Sequence, residues 1–370
     1  MRAPVCAIVV AIGLFAHPAF AETDKPAQAT FWKTVQANCS ATAAKPPSEL
    51  GQRIAHNAIE EFTRFGGHRL DSNGRLFHFG LTEAEHDADD GGGRPATLDH
   101  VGWWEVMKYW RSLFGDEAPD KLEVRGYKEA SVSKDDKHTP EALSTSAGDL
   151  MRAAEAVTDP ELREVLREAA LRTAVIDTPW SAAFISYVVK EAGVPAGAFQ
   201  FSNAHRAYIY DAFATSAAEI NNQAGDRIYR ACPLGTTKPR PGDLICFQRE
   251  PSLADASDEE VRERIRSELE SGGDTRSIRR THCDVVAYID APARKAYSIG
   301  GNILQSITAR KLNLHSRGLK LSAEQKSNCG GAGSWTMPQA SGAPGAPGNE
   351  NPNEKCSLND KKWFVLLQLR

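Results

Sequence analysis

The sequence predicts an α+β protein in which helices pack on one side of a small antiparallel sheet. In the first half of the chain, apolar residues recur every three or four positions, as in amphipathic helices. In the second half, short runs rich in valine, isoleucine and tyrosine alternate with turn residues, as in strands. Helices followed by strands are the pattern of an α+β fold.

Composition sets the broad class of the protein. The 370 residues are 41% apolar and 25% charged, which is ordinary for a globular protein and excludes general disorder, collagen and a coiled coil. The 44 lysines and arginines nearly balance the 48 acidic residues, and no long basic run occurs, so we predict no nucleic-acid partner. After the N-terminal segment, no apolar run reaches the roughly 18 residues of a membrane span.

The N-terminus has the features of a secretory signal peptide. Arg2 precedes an apolar run over 5–15, and Ala19-Phe20-Ala21 has the small-x-small pattern of a cleavage site. We therefore predict a signal peptide over 1–21, cleavage after Ala21, and a periplasmic or secreted protein. Residues 22–47 are polar and rich in proline and alanine, which indicates a tether with one short helix.

Cysteine usage agrees with an oxidising compartment. Cys6 lies at the start of the apolar run, so we expect it to leave with the signal peptide rather than carry a lipid. An even number of cysteines remains, without a metal-type C-x-x-C spacing, and six cysteines allow 15 pairings that spacing cannot resolve. Cys329 and Cys356 bracket a Gly/Pro-rich loop and suggest a local bridge. The remaining cysteines are Cys39, Cys232, Cys246, Cys283, Cys329 and Cys356.

Residues 48–320 are predicted to form the folded domain, with a helical part over 48–175. A helix capped by Ser48 ends at Gly66-Gly67, an aromatic stripe over 103–113 indicates a second helix, and alanine-rich helices are predicted over 140–157 and 160–173. The acidic stretch within 71–97 matches no EF-hand or zinc template, so we interpret it as a solvated loop and predict no metal.

The part over 176–320 is predicted to carry the chemistry. A helix begins with Thr178 as N-cap and ends at Gly193, and another spans 203–220. Strands are predicted over 244–247, 281–289 and 296–302, with a charged helix over 257–270 inserted between the first two. Residues 321–370 are predicted to form a Gly/Pro-rich loop and a final strand over 362–369 that returns to the sheet.

Three polar residues could meet at one site. Ser181 falls in the first turn of a helix, where the helix dipole and free backbone N–H groups favour a developing oxyanion. His282 starts an apolar strand, and Asn302 ends the following strand. If these strands are neighbours, His282 is placed to act as a base and Asn302 to orient its ring.

These segments carry a resemblance. The run 179–186, the turn 241–245, the His282 strand and the segment 299–302 resemble, in order, the cysteine- and histidine-dependent amidohydrolase/peptidase (CHAP) and NlpC-type papain-like domains. Over about 50–315 the chain is similar to the bacterial domain of unknown function 2272 family. The resemblance implies a papain-like fold and hydrolysis of amide bonds, commonly in peptidoglycan. It places Ser181 at the cysteine position, with His282 and Asn302 completing the site.

Serine in place of cysteine leaves two functions open. A serine hydroxyl must lose its proton as it attacks, so a site shaped for a thiolate is usually a poor serine site. The first hypothesis is a Ser-His-Asn hydrolase of cell-wall peptides. The second is a degenerate papain-like module that binds such a peptide or an envelope partner, with Trp180, His205 and Tyr208 as contact residues.

Two further expectations concern neighbouring residues. His205 and Tyr208 belong to a Ser-x-x-His-x-x-Tyr segment that resembles the closer family, and their spacing puts them on one helix face. Cys283 points away from a cleft that His282 faces, so we interpret it as structural, with Cys246 as a candidate partner. The helix over 257–270 could be a lid, although mixed charge is more typical of a solvated helix. No cofactor is predicted.

Overall fold

The computed structural model describes residues 25–71, 73–80, 82–84, 102–128, 141–272, 277–321 and 358–370. The predicted signal peptide and the loop between Cys329 and Cys356 lie outside these ranges. Within them, no helix combines the length and the apolar character that crossing a bilayer requires.

The centre of the molecule is an eight-stranded sheet with the order β2-β1-β9-β8-β7-β6-β10-β5. It is mostly antiparallel, with a parallel pair formed by β1 and β9. The sheet is larger than the small one predicted, because strands of three or four residues such as β1, β2 and β5 are too short for a periodic signal. The strands are β1 (His68–Leu70), β2 (Leu76–His78), β5 (Tyr229–Cys232), β6 (Leu244–Gln248), β7 (Thr281–Asp290), β8 (Lys295–Ile303), β9 (Ser306–Asn313) and β10 (Lys362–Leu369).

Eight α-helices surround this sheet in the described ranges. They are α1 (Lys25–Ala43), α2 (Glu49–Arg64), α3 (Gly102–Phe114), α4 (Ala147–Ala154), α5 (Pro160–Asp177), α6 (Ser181–Glu191), α7 (His205–Ile220) and α8 (Asp258–Glu270). Ser48 caps α2 and Asp159 caps α5, as their positions in the sequence indicate.

The first half of one predicted helix is a strand in the structure. The helix expected over 140–157 is a strand, β4 (Glu141–Ser146), followed by the short α4. β4 pairs with β3 (Glu123–Lys128) in a separate two-stranded sheet. Ser146 ends the strand and starts the helix, since its side chain accepts a hydrogen bond from the backbone N–H of Asp149.

The segment expected to be a tether is instead part of the fold. Helix α1 buries Val35 and Cys39, which are spaced four residues apart and so face the same side. Cys39 forms a disulfide with Cys232 of β5, with Cα atoms 6.0 Å apart. The disulfide thus bonds the helix covalently to the sheet. Most polar residues of α1 lie on its outer face, whereas Val35 and Cys39 face the core.

The two faces of the sheet are covered unequally. Leu244 and Cys246 of β6 belong to a large core that α2, α3, α5, α6, α7 and α8 share. The alternating residues Ile245 and Phe247 belong to a smaller core with Val35 and Cys39 of α1. The predicted final strand, β10, is confirmed, and it inserts between β6 and β5 rather than covering an edge.

Candidate functional site

Ser181 is the first residue of α6, and its N-cap Trp180 lies two residues after the predicted N-cap Thr178. Trp180 occupies the N-cap position without a side-chain cap, and the first helical bond runs from Phe184 N–H to the Trp180 carbonyl at 3.0 Å. In the described ranges, no group accepts a hydrogen bond from the N–H groups of Ser181, Ala182 and Ala183. These donors remain free for an oxygen that lies beside Ser181.

Thr178, the predicted N-cap, bonds to β3 instead of capping α6. Its hydroxyl accepts a hydrogen bond from Glu123 N–H at 2.8 Å and lies 3.2 Å from the Glu123 carbonyl oxygen, so it fixes the start of β3 against the loop before α6. Because the Thr178 hydroxyl bonds to Glu123, it does not cap α6. The N–H groups in the first turn of α6 therefore have no side-chain cap.

His205 is the residue that contacts Ser181. His205 begins α7, and its Nε2 lies 2.6 Å from Ser181 Oγ. Its Nδ1 is hydrogen-bonded to the hydroxyl of Tyr208, one turn further along the same helix. Sequence analysis identified both residues as ligand contacts, whereas the structure places His205 where a general base for Ser181 would lie.

His282 lies beside this pair but contacts a different group. Its ring centroid is 4.8 Å from that of His205, and its Nε2 is 3.0 Å from Asp284 Oδ1. His282 and Asp284 are two residues apart on β7, so they share a face of the strand. The structure joins Ser181 to His205 rather than to His282, and no hydrogen bond between Ser181 and His282 occurs in the described ranges.

Asp284 takes the orienting position that sequence analysis gave to Asn302. No hydrogen bond joins Asn302 to His282 in the described part of the chain. Asn302 adopts a left-handed conformation with φ 54° at the bulged end of β8, so the regular pairing of β8 with β9 is interrupted there. The His-x-Asp spacing at 282–284 was a signal available in the sequence, because alternate strand residues share a face.

A buried network holds Asp284. The Arg310 Nε lies 3.0 Å from Asp284 Oδ2, and the Ser298 hydroxyl donates to the same oxygen at 3.1 Å. Arg310 also donates to the Asn359 side chain at 3.2 Å, just before β10. A Cβ on Gly300 would lie only 2.2 Å from Asp284 Oδ1, so the close approach of β8 to this carboxylate requires glycine at 300.

The protonation states follow from these contacts. Burial would raise the pKa of Asp284, but Arg310 and the hydrogen bond with His282 outweigh burial and lower it, so Asp284 is ionised. The His282 Nε2 therefore carries the proton shared with this carboxylate. Burial, followed by the proximity of His282 and Arg249, lowers the pKa of His205 well below its usual value. His205 is thus neutral, and its Nε2 accepts a hydrogen bond from the Ser181 hydroxyl when Nδ1–H donates to the Tyr208 oxygen.

Trp180 lies in the core. Its ring is fully buried against Phe65 and Tyr109, with centroid distances of 5.9 and 6.0 Å. The predicted contact of Trp180 with a ligand is therefore replaced by packing that fixes the start of α6. Tyr208 is also buried and stacks on Phe199 at 5.2 Å, which leaves its hydroxyl as its functional group.

The side chains of the candidate site are almost enclosed. Ser181, His205 and His282 are 6%, 5% and 4% exposed. A site of this kind excludes water and strengthens the electrostatic interactions inside it.

Cys283 is a structural cysteine, as its position next to His282 indicated. It forms a disulfide with Cys246, its direct neighbour on β6, with Cα atoms 4.1 Å apart. The bridge lies on the opposite side of β7 from His282 and Asp284. In the described ranges, no group of three or more potential metal ligands occurs.

Comparison with known proteins gives one match. The family model described as "Uncharacterized protein conserved in bacteria (DUF2272)" matches residues 98–369. This range contains every residue of the Ser181–His205 pair and of the His282–Asp284–Arg310 network. No curated protein and no solved structure matches the chain.

Proposed function

The chain belongs to the bacterial DUF2272 family, and we propose that it is a serine hydrolase that cleaves amide bonds in cell-wall peptides. One observation carries the proposal: Ser181 Oγ lies 2.6 Å from His205 Nε2 at a helix start whose first N–H groups are free. A hydroxyl, a neutral imidazole and oxyanion donors are the three components that acyl transfer needs.

In the first half of the reaction, Ser181 Oγ attacks the amide carbonyl carbon while its proton passes to His205 Nε2. The carbonyl oxygen becomes an oxyanion and accepts hydrogen bonds from the N–H groups at the start of α6. His205 then gives the proton to the leaving nitrogen, the C–N bond breaks, and an acyl-Ser181 ester remains.

In the second half, His205 Nε2 takes a proton from a water molecule as the water oxygen attacks the ester carbonyl. Return of that proton to Ser181 Oγ releases the carboxylic acid and restores the enzyme. Tyr208 positions the imidazole through its hydrogen bond with Nδ1.

The substrate and the compartment are part of the same proposal. Support for a cell-wall peptide comes from the resemblance of segments 179–186, 241–245 and 299–302 to papain-like amidohydrolases. Support for a site outside the cytosol comes from the disulfides Cys39–Cys232 and Cys246–Cys283, since structural disulfides persist in oxidising compartments.

A fluorophosphonate probe followed by mass spectrometry tests the nucleophile directly. We expect a single adduct on Ser181 in the wild-type protein, and none in Ser181→Ala. Ser186 provides a matched control, because it lies one turn along α6 and its hydroxyl donates to the Ser202 carbonyl at 2.8 Å. Ser186→Ala should therefore keep the adduct. Equal labelling of wild type and Ser181→Ala would rule out Ser181 as the nucleophile.

A second candidate function is a peptide-binding module without turnover. The observation that favours it is the lowered pKa of His205, caused first by burial and then by His282 and Arg249, because a weak base activates serine poorly. Unlabelled wild-type protein that binds peptidoglycan peptides as tightly as Ser181→Ala would support the module over the hydrolase.

A further inference from the structure

Three cations stand side by side at one end of the central sheet. Arg249 follows β6, Arg280 precedes β7 and Lys361 precedes β10. The register pairs Gln248 with both Thr281 and Lys362, so extending it by one residue sets Arg249 between Arg280 and Lys361. The hydrogen bond from Arg249 N–H to the Arg280 carbonyl, at 2.7 Å, continues the pairing of β6 with β7. We call these residues the cation row.

The cation row adjoins the candidate active site. In the neighbouring register row, Phe247 pairs with His282 on one side and with Trp363 on the other. The Phe247 ring is 5.1 Å from the His282 ring, and the Lys361 Nζ lies 5.9 Å from the Phe247 ring centroid. Because residues two apart on a strand share a face, the cation row lies on the same face as His282.

In the described ranges, no salt bridge offsets the charge of Arg249, Arg280 or Lys361. Glu250, the adjacent acidic residue, accepts hydrogen bonds from the backbone N–H groups of residues 279 and 280. Asp284 is already bound to His282 and Arg310.

Burial and nearby positive charges both lower the pKa values of Arg249 and Lys361. Burial and then Arg280 lower the pKa of Arg249, and burial followed by Arg310 and Arg249 lowers the pKa of Lys361. Asp284 and Asp360 oppose the second shift without reversing it. Like charges opposite each other on neighbouring strands destabilise a sheet. An anion that bound across the row would relieve this cost.

We propose that the cation row binds a carboxylate of the substrate, next to the bond that Ser181 attacks. Arginine offers paired N–H donors that fit the two oxygens of a carboxylate, and the lysine adds a compact charge. The inference rests on the proposed function only in naming the bound molecule as a substrate, since binding itself requires no turnover. It identifies that substrate as an acidic peptide.

Binding to the Ser181→Ala protein tests the cation row without hydrolysis. The probes are acetyl-Ala-Ala-Ala with a free C-terminal carboxylate and the same peptide with a C-terminal amide, measured by isothermal titration calorimetry. We expect the free acid to bind about tenfold more tightly than the amide, which corresponds to about 1.4 kcal/mol. The added substitutions Arg249→Gln and Lys361→Gln should remove this difference.

Arg279→Gln with Lys362→Gln is the matched control. It also removes two positive charges, at the positions next to Arg280 and Lys361 in sequence. Lys362 is in the register row of Gln248, whose side chains point to the other face. The control should keep the tenfold preference. Equal affinity for the two peptides, or no binding of either at millimolar concentration, would overturn the proposal.

The hydrolase proposal is tested separately. A preference for the acid in a protein that no phosphonate labels would leave the carboxylate site standing and remove catalysis. Labelling of Ser181 without a preference for the acid would do the reverse.

Discussion

In the described ranges, two buried Ser–His pairs occur, and they differ in the partner of the serine proton. Ser181 and His205 are 2.6 Å apart at the start of α6, and Ser306 and His68 are 2.9 Å apart between β9 and β1. The second pair even has a carboxylate, since Glu83 lies 3.5 Å from His68 Nε2. By residue type alone, Ser306, His68 and Glu83 are the better match to a Ser-His-Glu triad.

The two pairs differ in the group that accepts the hydrogen bond from the serine hydroxyl. The Ser306 hydroxyl lies 3.0 Å from the Thr82 carbonyl oxygen, which can only accept, so its proton points away from His68 and Nδ1–H of His68 donates to Ser306. Ser181 bonds only to His205 within the described ranges. A short distance between serine and histidine is therefore not enough to identify a nucleophile. The serine hydroxyl must also be able to donate its proton to the histidine, and free N–H groups must be available for the oxyanion.

The largest expected effect comes from replacing the two histidines in turn. We expect His205→Asn to reduce kcat/KM for a peptide amide substrate by about 10³-fold, because the general base is lost. His68→Asn should leave kcat/KM within threefold and lower the melting temperature instead. Steady-state kinetics and thermal melts of both variants measure the contrast. Similar kinetic losses in the two variants would mean that catalysis does not distinguish the pairs.

The next effect concerns the carboxylate behind His282. Gly300→Ala places a methyl group 2.2 Å from Asp284 Oδ1, so we expect a loss of about 3 kcal/mol in the free energy of unfolding. Gly235→Ala is the control, because nothing lies within 4 Å of its Cβ. Urea unfolding measures both variants. A Gly300→Ala protein as stable as the control would show that β8 does not press against Asp284.

A pH titration of stability reports on the Ser306–His68 pair. Burial and then the charge of His78 lower the pKa of His68 from about 6.5 to about 4. The unfolded chain then binds a proton between pH 6.5 and 4 that the folded protein rejects, so stability is highest above pH 6.5 and falls as the pH decreases to 4. The contribution of His68 is up to about 3 kcal/mol.

The check is urea unfolding at pH 7 and pH 4.5 of the wild-type protein and His68→Gln. His205 and His282 also have lowered pKa values and add losses of the same sign, so the variant should lose less stability on acidification than the wild type without becoming pH-independent. An identical loss in both proteins would contradict the assignment to His68.

Much of the fold was predictable because its signals are local. The caps Ser48 and Asp159, the charged helix α8 and the apolar strands β6, β7 and β8 all follow from residues within a few positions. A short helix was predicted within 22–47, but its packing was missed, since that depends on the contact of Cys39 with the distant β5. The alanine-rich sequence also predicted a helix where β4 forms, because the pairing of β4 with β3 overrides local helix propensity.

The site was predicted in part for the same reason. Ser181 at a helix start and His205 with Tyr208 on one face are local patterns, and sequence analysis identified all three. Which histidine faces Ser181 depends on how α7 lies against α6, and this is a tertiary property. The spacing of Asp284 to His282 puts both on one face of a strand, whereas the resemblance to papain-like domains places the third polar residue on the following strand.

The smallest expected effect concerns the hydroxyl behind His205. Tyr208→Phe removes the group on Nδ1 and keeps the ring that stacks on Phe199, so we expect kcat to fall about tenfold while KM changes little. Tyr229→Phe is matched to it, since Tyr229 is also buried, also contacts Phe199 and donates its hydroxyl to the Gly242 carbonyl at 2.7 Å.

Both variants lose one buried hydrogen bond and should lose a similar stability of about 1 kcal/mol. Only Tyr208→Phe should change the pH dependence of kcat, because only that hydroxyl bears on the protonation of His205. Paired pH–rate profiles and urea melts therefore separate a positioning role from a structural one. If both variants kept the wild-type profile, the imidazole of His205 would be held by its packing, and Tyr208 would belong to the core alone.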